Sequence, residues 1–290
     1  MIHAKDLTYK YIKTDNEGNA DGFCTALDHV ELDVKPGEFI AILGHNGSGK
    51  STLAKNLNAL LKLSEGTLYV DGKDVRDQSK IIDIRKSAGM IFQNPDNQII
   101  ASVVEEDVGF GPENLGVPTD EILRRVEKSL DNVGMTAYRK KSPDRLSGGQ
   151  KQKVAIAGVL AMEPKCIIMD EPTAMLDPAG RRDVIEAAER LNKEKNITII
   201  LITHNMEETV NADRIFVMDK GKIVMEGAPA DIFSKVDELT GYRLCVPAVT
   251  MLAHRLRQAG LDIPENILRR EELTEAVKKL MEYPEHKHGN

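Results

Sequence analysis

The segment from Gly44 to Ser51 has the residue types and spacing of a phosphate-binding loop. Its sequence, Gly-His-Asn-Gly-Ser-Gly-Lys-Ser, fits the pattern G-x-x-x-x-G-K-[ST] at every position. Glycines allow the backbone to curl so that successive N–H groups face one anion. Lys50 is long enough to reach the outer phosphates of a nucleotide, and the hydroxyl of Ser51 suits magnesium. The predicted nucleotide contacts are Gly44, His45, Asn46, Gly47, Ser48, Gly49, Lys50, Ser51 and Thr52.

We call Gly44 to Ser51 the phosphate loop. A predicted strand precedes it and a predicted helix follows it, which is the order that nucleotide binding requires. Glu38 to Leu43 is a short apolar run typical of a buried strand. Thr52 to Leu61 predicts a helix with one apolar face, and its N-terminus adds positive potential to the anion site. The alternative is a glycine-rich turn before an ordinary helix. The agreement of strand, loop, Lys-Ser pair and helix disfavours it.

A second element with chemistry is the acidic pair Asp170 and Glu171, which ends the apolar run Cys166-Ile-Ile-Met169. A buried strand that ends in two carboxylates places them at the carboxyl edge of the sheet, beside the phosphate loop. Asp170 is predicted to hold magnesium. Glu171 is predicted to polarise the attacking water, for which its carboxylate must come within about 3 Å of that water. The alternative is a strand that ends in a solvated acidic turn.

The third element is a second predicted anion site at a helix N-terminus. The residues Leu146, Ser147, Gly148, Gly149 and Gln150, which we call the signature segment, precede a predicted helix from Lys151 to Ala161. One nucleotide does not need two such sites from one chain. We therefore expect the signature segment to serve the nucleotide of a neighbouring chain, so that two chains facing head to tail hold two ATP molecules.

The composition limits the class of protein. The chain has 290 residues, 41% of them hydrophobic, and a formal net charge of −7, which argues against a general affinity for nucleic acid. Three separated cysteines give no disulfide framework and indicate a reducing cytoplasm. No apolar run approaches the roughly 20 residues that span a bilayer, and the first residues do not resemble a signal peptide. Work at a membrane would therefore require docking onto another chain.

The remaining pattern divides the chain into a body that ends near Lys235 and a short helical part. Residues 2–43 read as β-rich around a surface loop from Asp15 to Gly22. A helix is predicted from Pro118 to Gly134 with Thr119 as its cap, and residues 166–202 predict a strand-helix-strand unit followed by a hairpin at 214–225. Two later amphipathic helices have apolar stripes that start at Val249 and Leu273. They are too short for a core of their own, so we expect each to pack on the body or on a partner.

These motifs, in this order, resemble the ATP-binding cassette (ABC) family over residues 2–235. The resemblance implies an α/β P-loop fold with a RecA-like core, a β-subdomain and a helical signature subdomain at about 93–160. It implies that residues 236–290 form a helical extension with a dimer contact. Gln93 resembles the residue that touches magnesium or the attacking water, His204 the one that contacts the γ-phosphate, and Asp177 the one that communicates across the dimer. Tyr11 resembles the aromatic that stacks on adenine, with Tyr9 as the competing candidate.

A narrower resemblance, to ATPase subunits of energy-coupling factor transporters, lies in residues 92–98, 104–112 and 146–158 and in the tail. It implies import of a vitamin or a transition-metal ion, a peripheral position at the cytoplasmic face of the cell membrane, and three partners. These are a sister ATPase chain (this one being of the first paralogous type), a transmembrane coupling protein and a membrane protein that binds the substrate. Another ABC importer, or a soluble ABC ATPase of DNA repair or translation, is the alternative. The absence of a long coiled coil and of a second cassette disfavours the soluble classes.

The segment from Gln98 to Phe110, which we call the docking segment, is more apolar than a free loop should be. We expect it to contact the membrane protein, and Glu105, Glu106 and Asp107 to receive basic side chains from it. The alternative is that the segment packs inside its own helical subdomain, and both interpretations can hold for different residues.

Overall fold

The structure is a computed structural model that describes residues 1–15 and 19–282. Residues 16–18 of the predicted surface loop and 283–290 of the predicted extension lie outside that range. The strands of the described residues are β1 Ile2–Thr14, β2 Ala20–Val34, β3 Phe39–Leu43, β4 Glu65–Val70, β5 Lys73–Asp74, β6 Ala88–Ile91, β7 Cys166–Asp170, β8 Thr198–Ile202, β9 Arg214–Asp219 and β10 Lys222–Gly227. The α-helices are α1 Lys50–Leu57, α2 Ile81–Ser87, α3 Val104–Asn114, α4 Thr119–Asn132, α5 Gly148–Ala161, α6 Pro178–Lys195, α7 Pro229–Phe233, α8 Val236–Gly241, α9 Ala248–Gln258 and α10 Arg270–Glu282.

A six-stranded sheet in the order β10-β9-β3-β8-β7-β6 forms the centre of the body. All of its neighbouring strands are parallel except the β9–β10 hairpin. Successive side chains of a strand point to opposite faces, so in β3 Phe39 and Ala41 enter one buried cluster while Ile40 and Ile42 enter another. Both faces are therefore covered, which explains why β3, β7 and β8 are continuous apolar runs. The predicted strands and the predicted terminal hairpin are confirmed.

A second, antiparallel sheet in the order β2-β1-β4-β5 covers one face of the central sheet. Its strands β1 and β2 pair from Ile2 opposite Val34 out to Thr14 opposite Ala20. The predicted loop from Asp15 to Gly22 was therefore too long, because the cross-strand ladder continues into polar residues that give no hydrophobic alternation. Where β1 and β2 extend past the buried clusters, Ile12 and Phe23 lie opposite each other, and both side chains are exposed.

Helices α3, α4 and α5 pack together on the other side of the body. The predicted helix is confirmed, and one of its faces is apolar: Val126 and Leu130, with Val133 directly after the helix, are buried in one cluster. Thr119, however, is the first helical residue, and the cap position belongs to Pro118, with no side-chain cap bond. The prediction of a Thr119 cap was wrong by one residue, because the fixed φ of proline already sets the entry into the helix.

Helix α1 differs from the prediction at both ends. It begins at Lys50 inside the phosphate loop and ends at Leu57, whereas Thr52 to Leu61 was predicted. Ala59 adopts a left-handed backbone with φ of 54°, so the chain leaves the helix before Leu60, which is 40% exposed. Leu60 and Leu61 therefore do not extend the helical face.

The C-terminal helices form a small core, which corrects the expectation that they have none. Ala253 of α9 and Leu273 of α10 are buried with Ile263 and Ile267 of the intervening loop in one separate cluster. The extension is also bonded to the body: the backbone N–H of Ala248 donates to Glu207 Oε1 at 2.8 Å. Among the described residues, no helix has the length and apolar character needed to cross a bilayer.

Candidate active site

The predicted chemical residues meet at one edge of the central sheet. Strands β3, β8, β7 and β6 are parallel neighbours, so their carboxyl ends lie side by side. The phosphate loop follows β3, and His204 follows β8 after one residue. The acidic pair ends β7, and Gln93 comes two residues after β6. This placement follows from the sheet order, which the sequence did not specify.

The phosphate loop is shaped by three glycines with different constraints. A Cβ on Gly44 would lie 2.4 Å from Ser48 Oγ and 2.5 Å from the carbonyl of Met218. Gly47 and Gly49 have φ of 83° and 106°, a region that side chains other than glycine rarely adopt. Nothing lies within 4 Å of a Cβ on Gly47, so that side of the loop is open to a ligand. The loop therefore has the curled backbone that its glycines predict.

Lys50 is 4% exposed and lies inside this loop. Its Nζ donates to the carbonyls of Gly44 at 2.8 Å and His45 at 3.1 Å, and lies 3.8 Å from Glu171 Oε1. Burial lowers the pKa of the Lys50 ammonium, and the charges of Glu171 and Asp170 oppose that shift. A bound anion would stabilise the ammonium further, so the environment of Lys50 suits a phosphate ligand.

Ser51 and Asp170 form the pair of oxygen ligands that the sequence predicted for magnesium. Ser51 Oγ donates to Asp170 Oδ1 at 2.9 Å, although the two residues are 119 positions apart. Burial raises the pKa of the Asp170 carboxyl, the Ser51 bond lowers it and the charge of Glu171 raises it again. A buried carboxylate whose charge is disfavoured, next to a hydroxyl, is a fitting donor set for a divalent cation.

Glu171 lies between Lys50 and His204. Its Oε2 is 3.4 Å from His204 Nδ1, and its backbone N–H donates to the carbonyl of Ile202 at 2.9 Å. The backbone of Glu171 is left-handed, with φ of 49°. Strained backbone of this kind in a non-glycine residue is typical of functional sites. It turns the chain directly after β7, so that the carboxylate faces the phosphate loop.

Gln93 and the two tyrosines lie around this centre. Gln93 is exposed in the bend after β6. Tyr11 Oη is 3.3 Å from Thr52 Oγ1, whereas Tyr9 meets Tyr11 edge to face at 4.8 Å between ring centroids. Tyr11 is 40% exposed. The direct contact with α1 and the exposure favour Tyr11 over Tyr9 as the aromatic next to a nucleotide base.

The signature segment stands at the N-terminus of α5 as predicted, but the helix begins at Gly148, three residues before the predicted start at Lys151. Ser147 caps the helix, its Oγ accepts the N–H of Gln150, and the Gln150 side chain accepts the N–H of Ser147 in return. Ser147 and Gly148 are exposed, while Leu146 is buried and anchors the segment. Among the described residues, no hydrogen bond or ion pair joins the signature segment to the phosphate loop of the same chain.

Asp177 belongs with the signature segment. Its carboxylate caps α6 by accepting the N–H of Gly180 at 3.1 Å. A Cβ on Gly149 would lie 3.1 Å from the Cα of Gly180, so the backbones of α5 and α6 touch at this point. The signature segment and the Asp177 loop therefore form one surface of the chain.

Two acidic residues important for the geometry were not singled out from the sequence. Asp219 lies at the end of β9. Its Oδ1 is hydrogen-bonded to His45 Nε2 at 2.8 Å, and this bond holds the outer side of the phosphate loop. Glu208 is buried behind the His204 loop and bonds to Thr173 and Thr203. Neither belongs to a local pattern, and in both cases a partner is far away in the sequence.

The docking segment is divided between the core and the surface, as the two open interpretations allowed. Val104 and Val108 are fully buried, whereas Ile100 and Phe110 are 63% and 46% exposed. The exposed pair lines a cavity of about 590 Å³, together with Leu60, Ile82 and Phe92.

Two of the three acidic residues of the docking segment are engaged inside the chain, which corrects the prediction that all three receive outside cations. Glu105 pairs with Arg139 and Lys140. Asp107 Oδ1 accepts the backbone N–H groups of Ile100 and Ala101. The Asp107 carboxylate thus orders the start of the segment, because these two backbone N–H groups would otherwise lack acceptors, and Glu105 links the segment to residues 139 and 140.

Comparisons with known proteins agree with this geometry. The sequence model of the family described as "ABC transporter" matches residues 27–174. The energy-coupling factor transporter ATP-binding protein EcfA1 of Clostridium novyi is 56% identical over 97% of this chain and 98% of its own length. The protein of the same name from Caldanaerobacter subterraneus is 53% identical over 96% and 98%.

Solved structures show the same fold. CbiO1 of Clostridium perfringens, described as part of the ABC transporter complex cbiONQ, is 39% identical with a TM-score of 0.72 over 82% of this chain and 93% of that one. The ATP-binding cassette MJ0796, in a dimeric post-hydrolysis state with ADP and Pi, is 30% identical with a TM-score of 0.70 over 79% and 99%. The chain belongs to the ABC family of ATPases, within the energy-coupling factor transporter ATP-binding proteins.

Proposed function

We propose that this chain hydrolyses ATP at a site shared with a second ABC ATPase chain, and that the hydrolysis drives import of a vitamin or a transition-metal ion through an energy-coupling factor transporter. One observation carries the proposal. Lys50 lies 3.8 Å from Glu171, which lies 3.4 Å from His204, at the edge where Ser51 bonds to Asp170. A cation, a base and a hydroxyl-carboxylate pair at this spacing are the parts of a phosphoryl-transfer site.

In the binding step, the backbone N–H groups of Gly47 to Gly49 and the ammonium of Lys50 bind the outer phosphates of ATP. The remaining residues of the loop, with Thr52, enclose the phosphates, and Tyr11 stacks on adenine. In the chemical step, Glu171 accepts a hydrogen bond from the attacking water and polarises it, while His204 and Gln93 orient the water and the γ-phosphate. Catalysis then rests mainly on positioning and on charge stabilisation.

Magnesium fits the donor set described above, and we assign its binding to Ser51, Asp170 and Gln93. When bound, the ion offsets negative charge on the phosphate oxygens. Within the described residues no group of three or more histidines, cysteines and carboxylates could hold a metal alone. A site with one carboxylate, one hydroxyl and one amide would leave the remaining magnesium ligands to phosphate oxygens and water, which is the usual arrangement for this ion.

The second half of the pocket comes from the partner chain in this proposal. The capped N-terminus of α5 presents the exposed Ser147 and Gly148 to a γ-phosphate, and the backbone N–H of the buried Gly149 adds to this anion site, with Leu146 and Gln150 holding the segment. Asp177 lies on the same surface and contacts the partner. Closure of two chains would expel water from the site, and hydrolysis would reopen them. The sister chain is then the first partner of the assembly.

We assign residues 1–235 to the nucleotide-binding domain, with a helical subdomain at about 93–160, and residues 236–290 to an extension that adds a dimer contact. The cavity beside Ile100 and Phe110 is the proposed docking site of the transmembrane coupling protein, which in turn engages the substrate-binding membrane protein. The chain would then work as a peripheral protein at the cytoplasmic face of the cell membrane. No nucleic acid partner is part of this proposal.

Purification of the native complex tests the proposal. A tagged full-length chain is expressed in its own host, the membranes are extracted with detergent, and the captured chains are identified. We expect a second ABC ATPase and at least one polytopic membrane protein. Phe110→Glu should abolish capture of the membrane protein, whereas the matched change Leu123→Glu, at a residue 51% exposed on α4, should not. A strictly monomeric chain that hydrolyses ATP at full rate would refute the shared site.

A further inference from the structure

Glu208 is a buried carboxylate that the proposed chemistry does not use. It is 7% exposed and lies in the short turn Met206–Thr209 that follows β8. Its Oε1 accepts hydrogen bonds from Thr173 Oγ1 at 2.7 Å and from Asn205 Nδ2 at 3.1 Å, and its Oε2 accepts one from Thr203 Oγ1 at 2.8 Å. One side chain therefore binds two separate segments of the chain.

The two segments are those that carry the proposed base and the histidine. Thr173 comes two residues after Glu171, and Thr203 and Asn205 flank His204 on either side. The contact of 3.4 Å between Glu171 and His204 is thus made by two loops that are bonded to the same carboxylate. The sheet alone does not fix this contact. The last backbone hydrogen bond between β7 and β8 is the one that the N–H of Glu171 donates to the carbonyl of Ile202, and both loops lie beyond it.

The chemistry of the three partners makes this arrangement specific. An ionised carboxylate only accepts hydrogen bonds, and two hydroxyls and an amide donate to it here. Buried polar groups that lose a partner are costly, so each donor is held in one rotamer. The same carboxylate therefore restricts the positions of both loops beyond the end of the sheet.

We infer that Glu208 is a positioning residue for ATP hydrolysis, which fixes Glu171 relative to His204 around the attacking water. The inference rests on the proposed function and adds a residue to it. Among the described residues, no hydrogen bond or ion pair joins Glu208 to the phosphate loop. Its loss should therefore reduce kcat and leave KM for ATP nearly unchanged, because ground-state binding belongs to the loop and to Lys50.

The experiment measures steady-state ATP hydrolysis of the complex with magnesium for Glu208→Gln and Thr173→Val. We expect each to lower kcat by about tenfold or more, since small misplacement of catalytic groups has effects of this size, with KM within about twofold. Thr173→Ser keeps the hydroxyl and should restore the rate. The double variant should lose less than the product of the two single losses, because both changes disturb one hydrogen-bond network around residue 208.

Thr198→Val is the matched control for a buried threonine. Thr198 Oγ1 accepts the N–H of Gly37 at 2.9 Å, at the opposite end of β8 from His204. This change should lower the melting temperature and leave kcat unchanged.

An unchanged kcat in folded Glu208→Gln, or a change confined to KM, would overturn the inference. If the wild-type complex does not hydrolyse ATP, the proposed function itself fails. If the wild type hydrolyses ATP and Glu208→Gln matches it, only the positioning role fails.

Discussion

The replacement Glu171→Gln tests the assignment of the base with almost no change in shape. The amide retains the size of the carboxylate but loses its charge and its ability to accept a proton. Glu171 lies 3.8 Å from Lys50 Nζ and 3.4 Å from His204 Nδ1, so an isosteric side chain leaves the packing of both neighbours intact. The change therefore isolates the chemical role of one oxygen.

The expected loss follows from the role of a positioned base. General base catalysis contributes about 10²- to 10⁴-fold, which corresponds to roughly 3–5 kcal/mol of transition-state stabilisation. Binding of ATP should be retained, because the phosphate contacts come from Lys50 and the loop. Removal of a negative charge near the phosphates should not weaken that binding.

Two assays separate these effects. Phosphate release at saturating ATP and magnesium gives kcat, and titration with a fluorescent ATP analogue gives the affinity. Glu194→Gln, an exposed change of the same kind on α6, is the control and should match the wild type. Turnover of Glu171→Gln at the wild-type rate would remove Glu171 from the mechanism, and a parallel loss of nucleotide affinity would show that it acts in binding instead.

Three further predictions concern stability and the shared site. Gly66→Ala should lower the free energy of unfolding by about 3 kcal/mol or more, because its φ is 86° and a Cβ would lie 2.1 Å from the backbone oxygen of Asp6. Gly72→Ala, with φ of 75° and nothing within 4 Å, should lose only about 1 kcal/mol in the same denaturant titration. Burial raises the pKa of the Asp71 carboxyl, but hydrogen bonds from Lys165, Lys73 and Ser87 outweigh burial and lower this pKa to about 2. The stability that this carboxylate adds is present above its unfolded pKa of 3.8 and is lost as the pH falls through about 2. Asp71→Asn should therefore cost about 1 kcal/mol at pH 7, after allowance for solvent screening, and nothing at the acid limit of an unfolding series. Ser147→Arg should block the partner's site more than the site of its own chain in mixed dimers whose two phosphate loops are inactivated one at a time, and the reverse result would contradict the head-to-tail pairing.

The parts of the fold that the sequence predicted are those with local signals. Strand β3, the phosphate loop and β7 with its acidic end are each encoded in fewer than ten consecutive residues. Buried parallel strands need apolar side chains on both faces, so their runs are easy to recognise. The resemblance to the ABC family then predicted Gln93 and His204, which the structure places after β6 and β8 at the same sheet edge as the phosphate loop. A histidine and a glutamine without that context would have carried no information.

The parts that the sequence did not predict depend on distant partners or on backbone geometry. The left-handed backbone of Glu171 is set by the sheet edge and not by its residue type. Glu208 has an unremarkable sequence context, and its bond to Thr173 spans 35 positions. The small core of the extension was missed because Ile263 and Ile267 flank a proline and belong to no helical stripe. The early end of α1 depends on the single left-handed residue Ala59.

The hydrogen bond between Glu207 and Ala248 connects the extension to the turn that contains Glu208. Glu207 Oε1 accepts the first N–H of α9, while the adjacent Glu208 faces the two loops on the other side of the same turn. We expect a displacement of α9 that pulls on Glu207 to act on the turn that contains Glu208. Coupling of this kind would be reciprocal, so we expect a nucleotide that orders the two loops to slow amide hydrogen exchange at the start of α9.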